Sequence, residues 1–276
     1  LFAQVWFEYR FNRHFEDHED IYRLEIPVTM FDAMDYRYDQ TTLRPLIEEF
    51  ERCSPDVVAA CDYEDIEADP RQKAIVNDNG AISRYDIPHA LSDSSLPDVF
   101  NLEFIAGRSE DYRNENDILL SEKYARMIFG EDNPIGRIMT LEMEDEPLKV
   151  VGVYRTLPEN CTIINGMLIC IGDADLTLPN YNPHVGFFRL REGASPEKVT
   201  EDFRKAYTNF ITSSGQELQD YHVEKIAGMR LTPIAGTHFL EDTMPGIKPY
   251  ADRTQTMILL SISLLFLLIA IFNYIN

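Results

Sequence analysis

Side chains that could carry chemistry are sparse in this sequence. Six histidines are spread over 276 residues, and His14 and His18 fall four apart beside Glu19. On a helix that spacing puts both imidazoles on one face, where they could hold a divalent metal. The order is His-Phe-Glu-Asp-His, however, and not the His-Glu-x-x-His of a zinc peptidase helix. A solvated acidic helix end explains the same residues, and no metal is expected there. His89, His184, His222 and His238 are scattered. There is no Gly-x-Ser-x-Gly elbow, no Walker phosphate loop and no Gly-x-Gly-x-x-Gly after a strand. Acidic residues such as Asp62, Glu64, Asp65 and Glu67 read as a solvated edge. Nothing converges as a catalytic site requires, so the expectation is a non-enzymatic domain with no catalytic residue and no cofactor.

Cys53, Cys61, Cys161 and Cys170 form no close-spaced pair. They allow three disulfide connectivities, and spacing does not choose among them. Cys61 and Cys170 lie in apolar strand-like runs, where a buried free thiol is the commonest state. Cysteine usage leaves the compartment open.

The charge balance excludes partners. With 25 Lys+Arg against 47 Asp+Glu the net charge is −22. A nucleic-acid ligand needs a basic face that releases counterions, and an anionic lipid surface needs the same, so neither is expected. With 45% hydrophobic and 26% charged residues, the composition is that of a folded chain.

The elements that would position any site begin and end in apolar segments. From Met257 to Phe272 no residue is charged, and only Ser261 and Ser263 interrupt the apolar run. With Tyr274 and Ile275 it approaches the roughly 20 residues that span a bilayer. A buried core helix would carry a polar stripe, which is missing here. At the other end Leu1, Val5, Phe7, Phe11 and Phe15 approximate helical spacing, with Trp6 and Tyr9 suited to a membrane–water interface. Residues 1–9 read as the tail of a preceding membrane helix or a juxtamembrane helix, with an ordinary amphipathic surface helix as the alternative, and 1–20 is taken as the juxtamembrane segment. There is no signal-peptide pattern. The Leu1 start and the Asn276 end suggest a piece of a longer polypeptide.

Between these ends the texture changes twice. Ile21–Met30 reads as a strand, Thr41–Phe50 as a helix with a threonine cap and Pro45 in its first turn, and Val57–Cys61 as a strand. The next stretch, residues 69–160, is rich in short strands and turns. Asn77-Asp78-Asn79-Gly80 should turn a hairpin between 73–76 and 81–85. Ser121 should cap a helix that Gly130 ends. Ile138–Glu142 and Leu148–Tyr154 should pair across the acidic turn 144–147. From Cys161 the strand–helix–strand texture returns. Ile163–Ile171 and Val185–Leu190 read as strands, and Ser195-Pro196-Glu197 starts a helix with Val199, Phe203, Ala206, Tyr207, Phe210 and Ile211 on one face. Tyr221–Ile226 and Met229–Ile234 read as the last strands. The prediction is an α+β fold with two lobes: 21–68 and 161–250 form one, 69–160 is an inserted β-rich second, and 257–276 is a transmembrane helix.

One linked block carries a resemblance. It comprises Gly107-Arg108 after an aromatic stretch, Ser121-Glu122, then Ala125 through Phe129-Gly130, then Pro134-Ile135-Gly136-Arg137, and finally Val151-Gly152-Val153. It resembles the periplasmic core domain of MacB-like and FtsX-like ABC transporter permeases, with Ile128 in place of Leu and Arg137 in place of Lys. The last helix resembles the second membrane helix in the form seen in Bacteroidetes permeases. The resemblance implies a porter-like lobe with an inserted sabre-like lobe, in the periplasm, anchored in the bacterial inner membrane. It also implies a cytoplasmic ABC ATPase subunit as partner, a second permease copy or half, and in some members a periplasmic adaptor, with no nucleic acid. The activity implied is mechanotransmission: nucleotide-driven motion of membrane helices moves the periplasmic domain, for export, efflux or lipoprotein release. The residues themselves also fit a ligand-sensing ectodomain of a membrane receptor. In physical terms the motif is structural. Gly130 caps, Pro134 and Gly136 turn the chain, and the valines fill a strand.

Overall fold

The protein is described from a computed structural model, which covers residues 1–28, 36–66, 72–78, 80–172, 184–213, 215–240, 242–244 and 251–275. Strand β1 (Ile21–Pro27) follows the N-terminal helix α1 (Phe2–Tyr9), and β2 (Tyr38–Asp39) and β3 (Thr41–Thr42) are short. Met30, the expected end of the first strand, lies outside the described residues. Helix α2 (Arg44–Cys53) has Pro45 in its first turn and buries Leu46, Ile47 and Phe50. Its cap position is Leu43, not a threonine, because Thr41 and Thr42 are drawn out to pair with Val185 and His184. Strand β4 (Val57–Ile66) then leads into β5 (Ala74–Asp78), β6 (Ala81–Tyr85), β7 (His89–Ser92), helix α3 (Leu96–Phe100) and β8 (Phe104–Gly107). Next come β9 (Asp117–Ser121), α4 (Glu122–Phe129), β10 (Ile138–Leu141) and β11 (Glu144–Tyr154). The chain finishes with β12 (Met167–Cys170), β13 (His184–Leu190), α5 (Pro196–Ser213), α6 (Asp220–Gly228), β14 (Arg230–Pro233) and α7 (Arg253–Ile275).

All strands join one mixed sheet, ordered β14-β1-β13-β4-β7-β12-β9-β11-β10-β5-β6 along its main path. Most pairs are antiparallel, but β12 runs parallel to β7 and β9 parallel to β11. Strand β4 is long enough to pair twice, with β13 through Val57–Tyr63 and with β7 through Tyr63–Ile66. Strand β12, which belongs to the returning part of the chain, inserts between β7 and β9.

Side-chain alternation buries both faces of this sheet. Ile21, Cys61, Tyr63, Phe187, Leu168, Leu119 and Val151 point to one face and form a single core with α3 and Phe15. On the opposite face Leu24, Ala60, Phe188 and Leu190 meet α2 and α5, and Ile118, Leu120, Val150, Val153, Met167 and Ile169 meet α4. Phe203 of α5 stacks on Phe50 of α2 at 4.6 Å and tilts against Phe188 at 4.8 Å. Each such buried aromatic contributes about 1.5–3 kcal/mol of transfer free energy. Ser195 opens α5 as its pattern predicts, its Oγ accepting the Lys198 N–H at 3.3 Å.

Two readings of local pattern give way to tertiary context. Tyr221–Ile226, expected as a strand, is helical within α6. A reciprocal capping box between Gln219 and His222 starts that helix, and Arg204 of α5 donates to its terminal carbonyls at Ile226 and Ala227. The acidic run 144–147 is not the hairpin turn, since β11 begins at Glu144, paired with Leu141. The hairpin between β5 and β6 forms as expected.

Candidate functional site

Helix α7 has 23 residues, mean hydropathy 2.6 over its most apolar window, and only 6% of that window is buried. It is long and apolar enough to cross a membrane, and its exposed side chains set it apart from a core helix. Helix α1 packs along it. Val5 is buried, Trp6 is exposed, and the Tyr9 hydroxyl donates to Met257 Sδ at 3.2 Å.

Beyond Tyr9 the chain does not continue as a helix. Asn12 and Asp17 adopt positive φ, 61° and 55°, which side-chain-bearing residues reach only at a cost. His14 and His18 therefore sit in turns, so the helical i, i+4 face on which a metal pairing depended is not formed. Among the described residues no group of three potential ligands could hold a metal.

Asn12 is wholly buried and links three parts of the chain. Its Nδ2 donates to Thr162 Oγ1 at 2.8 Å and Ile234 O at 3.1 Å, its Oδ1 accepts the Thr162 N–H at 2.7 Å, and its own N–H reaches Asn160 O at 2.9 Å. Asn160 Nδ2 in turn donates to Phe7 O at 3.0 Å. The 3-10 turn Ile234–Phe239 closes the same junction. Its His238 ring stacks on Phe11 with centroids 3.8 Å apart, and His238 Nε2 lies 2.5 Å from Glu8 Oε2. His238 O accepts the Ala251 N–H at 2.9 Å, just before α7. The entry helix, the exit helix and the sheet thus meet at one hydrogen-bonded knot.

Two buried ionic groups brace the sheet behind it. Glu25 on β1 is fully buried and bridges Arg23 (2.6 Å) and Arg230 of β14 (2.6 Å). Arg23 Nη1 donates to Gln40 Oε1, Arg230 pairs with Asp242 at 2.9 Å, and its guanidinium lies 3.6 Å from the Tyr38 ring centroid. Where β4 changes partner, Arg44 Nε holds Asp62 Oδ2 at 2.5 Å and Arg44 Nη2 donates to Gly172 O. His184 stands 3.6 Å from Asp62 and 3.5 Å from Glu64. The adjacent Asp93 accepts the Asp62 and Ser95 N–H groups, each at 2.9 Å. Burial pushes the Asp62 carboxyl up, but the neighbouring His184 and the Arg44 guanidinium outweigh it and hold the group below the usual range. Burial, reinforced by the Asp62 charge, pushes Asp93 well above that range.

The residues of the linked motif come together elsewhere, around β8, β9, β11 and α4. Gly107 (φ +74°) lies where an added Cβ would be 2.2 Å from Val151 O, and one on Gly152 would be 2.7 Å from Leu119 Cδ2. Between Val150 and Gly152 the ladder shifts register, so Val151 enters one core while Val150 and Val153 enter the other. Ala125 is buried in that second core with Phe129 against it. Gly130 (φ +62°) ends α4 with its N–H on Arg126 O, and Pro134 O accepts from Arg137 in the turn that sets Gly136 N–H on Val150 O at 2.7 Å. Ser121 precedes α4 without a side-chain cap bond, because the Lys123 N–H is already taken by Thr156 Oγ1 at 3.0 Å. Arg108 is exposed and pairs with Asp111 at 3.4 Å. All four cysteines are free, and only Cys53 is not fully buried.

Asn12, Glu8, His238, Glu25 and Arg230 had no local signature in the sequence. The contacts that tie them across the fold, Asn12 to Thr162, Arg230 to Glu25 and His238 to Glu8, span 150 to 230 residues.

Comparison with known proteins points the same way. The model of the MacB-like periplasmic core domain matches residues 8–206. A solved domain assigned to a permease protein of Porphyromonas gingivalis has TM-score 0.56 and 20% identity, over 84% of this chain and 95% of its own. The extracellular domain of the noncanonical ABC-type transporter YknZ from Gram-positive bacteria has TM-score 0.48 and 13% identity, over 77% and 99%. The periplasmic region of MacB from Actinobacillus actinomycetemcomitans has TM-score 0.49 and 9% identity, over 80% and 91%. No curated protein matches the chain. With its α+β fold and more than half its length covered by that family model, the chain belongs to the MacB-like periplasmic core domain family.

Proposed function

We propose that this domain transmits motion between membrane helices and the periplasm in an ABC transporter permease. The observation that carries the reading is the junction at Asn12 and His238. Helices α1 and α7 pack together, and the same knot fastens both to the sheet. A shift of the helix pair then tilts the sheet as a body, the hinge type of transition, without chemistry in the domain. The half of the sheet containing α2 and α5 corresponds to the porter-like lobe, and the half with β5–β11 and α4 to the sabre-like lobe. ATP binding and hydrolysis belong to a cytoplasmic ABC ATPase, and the working unit pairs two permease copies or halves in the inner membrane, with export, efflux or lipoprotein release as output.

The test uses the permease assembled with its ATPase. Spin labels at exposed Ser83 on β6 of the two copies should change separation when ATP binds. An unchanged distance distribution across nucleotide states would remove the mechanical role. A response instead to a small periplasmic ligand, without any ATPase, would favour a receptor.

A further inference from the structure

The net charge of −22 argues against contact with anionic lipid, yet charge is not evenly spread. Most arginines of the folded body meet a carboxylate, as Arg23, Arg44, Arg155, Arg204 and Arg230 do. At the membrane end the pattern changes. Arg10, Arg13 and Arg253 are exposed, and among the described residues none of them forms an ion pair. Arg10 rests its guanidinium 5.2 Å from the Trp6 ring centroid, and Arg13 N–H bonds to Arg10 O one turn on. Arg253 begins α7, one helical turn before Met257, the residue that receives the Tyr9 hydroxyl. Arg10 and Arg13 follow Tyr9 along the chain and Arg253 precedes Met257, so the Tyr9–Met257 contact brings the two segments together, with Arg10 against Trp6. Two acids next to these arginines in sequence have other partners: Glu8 with His238, and Asp252 with the Gln255 N–H at 3.0 Å.

Basic residues flanking membrane helices are normally concentrated on the cytoplasmic side. Unpaired arginines on the opposite face run against that bias, and a ring of phosphates is what they match in charge. We propose that Arg10, Arg13 and Arg253 form a collar that binds anionic phospholipid headgroups of the bilayer crossed by α7. The collar gives the acidic domain a local point of attachment, with Trp6 seated at the interface beside it. This rests on the reading that α7 spans the membrane and deepens it by naming the partner. The lipid contact serves as a fulcrum for the tilt of the domain.

Trp6 is the sole tryptophan of these 276 residues, so once every tryptophan elsewhere in the permease is replaced by phenylalanine, and a tryptophan-free scaffold protein is used, its fluorescence reads the collar directly. The full permease is placed in nanodiscs of phosphatidylcholine alone or mixed with phosphatidylglycerol, each with lipids brominated near the headgroup. Quenching of Trp6 should rise about twofold with the anionic lipid and lose that rise at about 1 M salt, where the Debye length is about 3 Å. The Arg10→Gln, Arg13→Gln, Arg253→Gln triple variant should lose the dependence, and the corresponding Lys variant should keep it. Equal quenching in both lipids, or an unchanged triple variant, would overturn the collar. Release of the protein from membranes by alkaline carbonate would instead overturn the spanning reading itself, together with the collar that depends on it.

Discussion

The part of the sheet around β8, β9, β11 and α4 and the part around β1, β13 and β14 are closed by different kinds of contact. The first is built largely from backbone approaches between residues within about 45 positions of each other: Gly107 against Val151 and Gly136 on Val150, with the Lys123 N–H on the Thr156 hydroxyl, 33 residues away. The second is closed by side chains whose partners are far along the chain, such as Arg230 on Glu25 across 205 residues and His238 on Glu8 across 230. Under the proposed function the two regions have different duties. The sheet, with its close glycine and valine contacts, is the lever. The junction held by polar side chains joins α1 and α7 to that lever without a continuous chain between them.

The largest effect should come from the second region. Replacing Glu25 with Ala leaves buried cationic groups without their shared carboxylate, and should cost about 3–5 kcal/mol in urea unfolding. A near-neutral result would mean that the bridged arginines are solvated in solution, and the contrast would weaken.

In the first region, Gly107→Ala places a Cβ 2.2 Å from Val151 O at positive φ and should cost about 3 kcal/mol. Gly130→Ala shares a positive φ, with ψ −120° outside the left-handed helical region, but has open space around it, and should cost about 2 kcal/mol. Equal costs would show that backbone conformation, not the β8–β11 approach, is what the motif glycine serves.

Asn12→Ala should cost about 2 kcal/mol, since it removes several buried hydrogen bonds. Its signature is local. Amide exchange should accelerate at Thr162 and in 234–239 while β9 and β11 stay protected, and uniform acceleration would argue against a separable junction.

The smallest effect concerns pH. Burial holds the Asp93 carboxyl in the folded state well above the ordinary aspartate value of 3.8. It therefore binds its proton more tightly when folded. Its contribution is complete below about pH 4 and is lost as pH rises through the folded value. Asp62 is held low and acts oppositely: its contribution is present above about pH 4 and is lost as pH falls through its folded value. Asp93→Asn should flatten the decline in stability above pH 4 in chemical denaturation, and a profile identical to the parent would place the titration elsewhere.

How much was legible in the sequence follows the same division. The motif block, the β5–β6 hairpin and α5 were readable because turns, caps and period-two or helical patterns are local signals. The α+β class followed from them. The end of α1 at Tyr9 agrees with the segment 1–9 read at the membrane, but the turns that carry His14 and His18 off the helix were not readable, since they depend on Asn12 reaching Thr162 and Ile234. Nor was α6, whose alternating Tyr221, Val223 and Ile226 mimic a strand until Arg204 and the Gln219–His222 box settle it as a helix. The apparent acidic edge at Asp62 proved to be the buried Arg44 and His184 partner, a pairing that no spacing within β4 reveals.

The central claim is that the helix pair and the sheet move as one body. It is tested most directly by spin labels at exposed Thr254, at the start of α7, and Ser83, on β6, within one chain of the assembled permease. The account predicts that this intrachain distance stays constant across nucleotide states while the Ser83–Ser83 distance between copies changes. An intrachain distance that shifts as much as the distance between copies would contradict it.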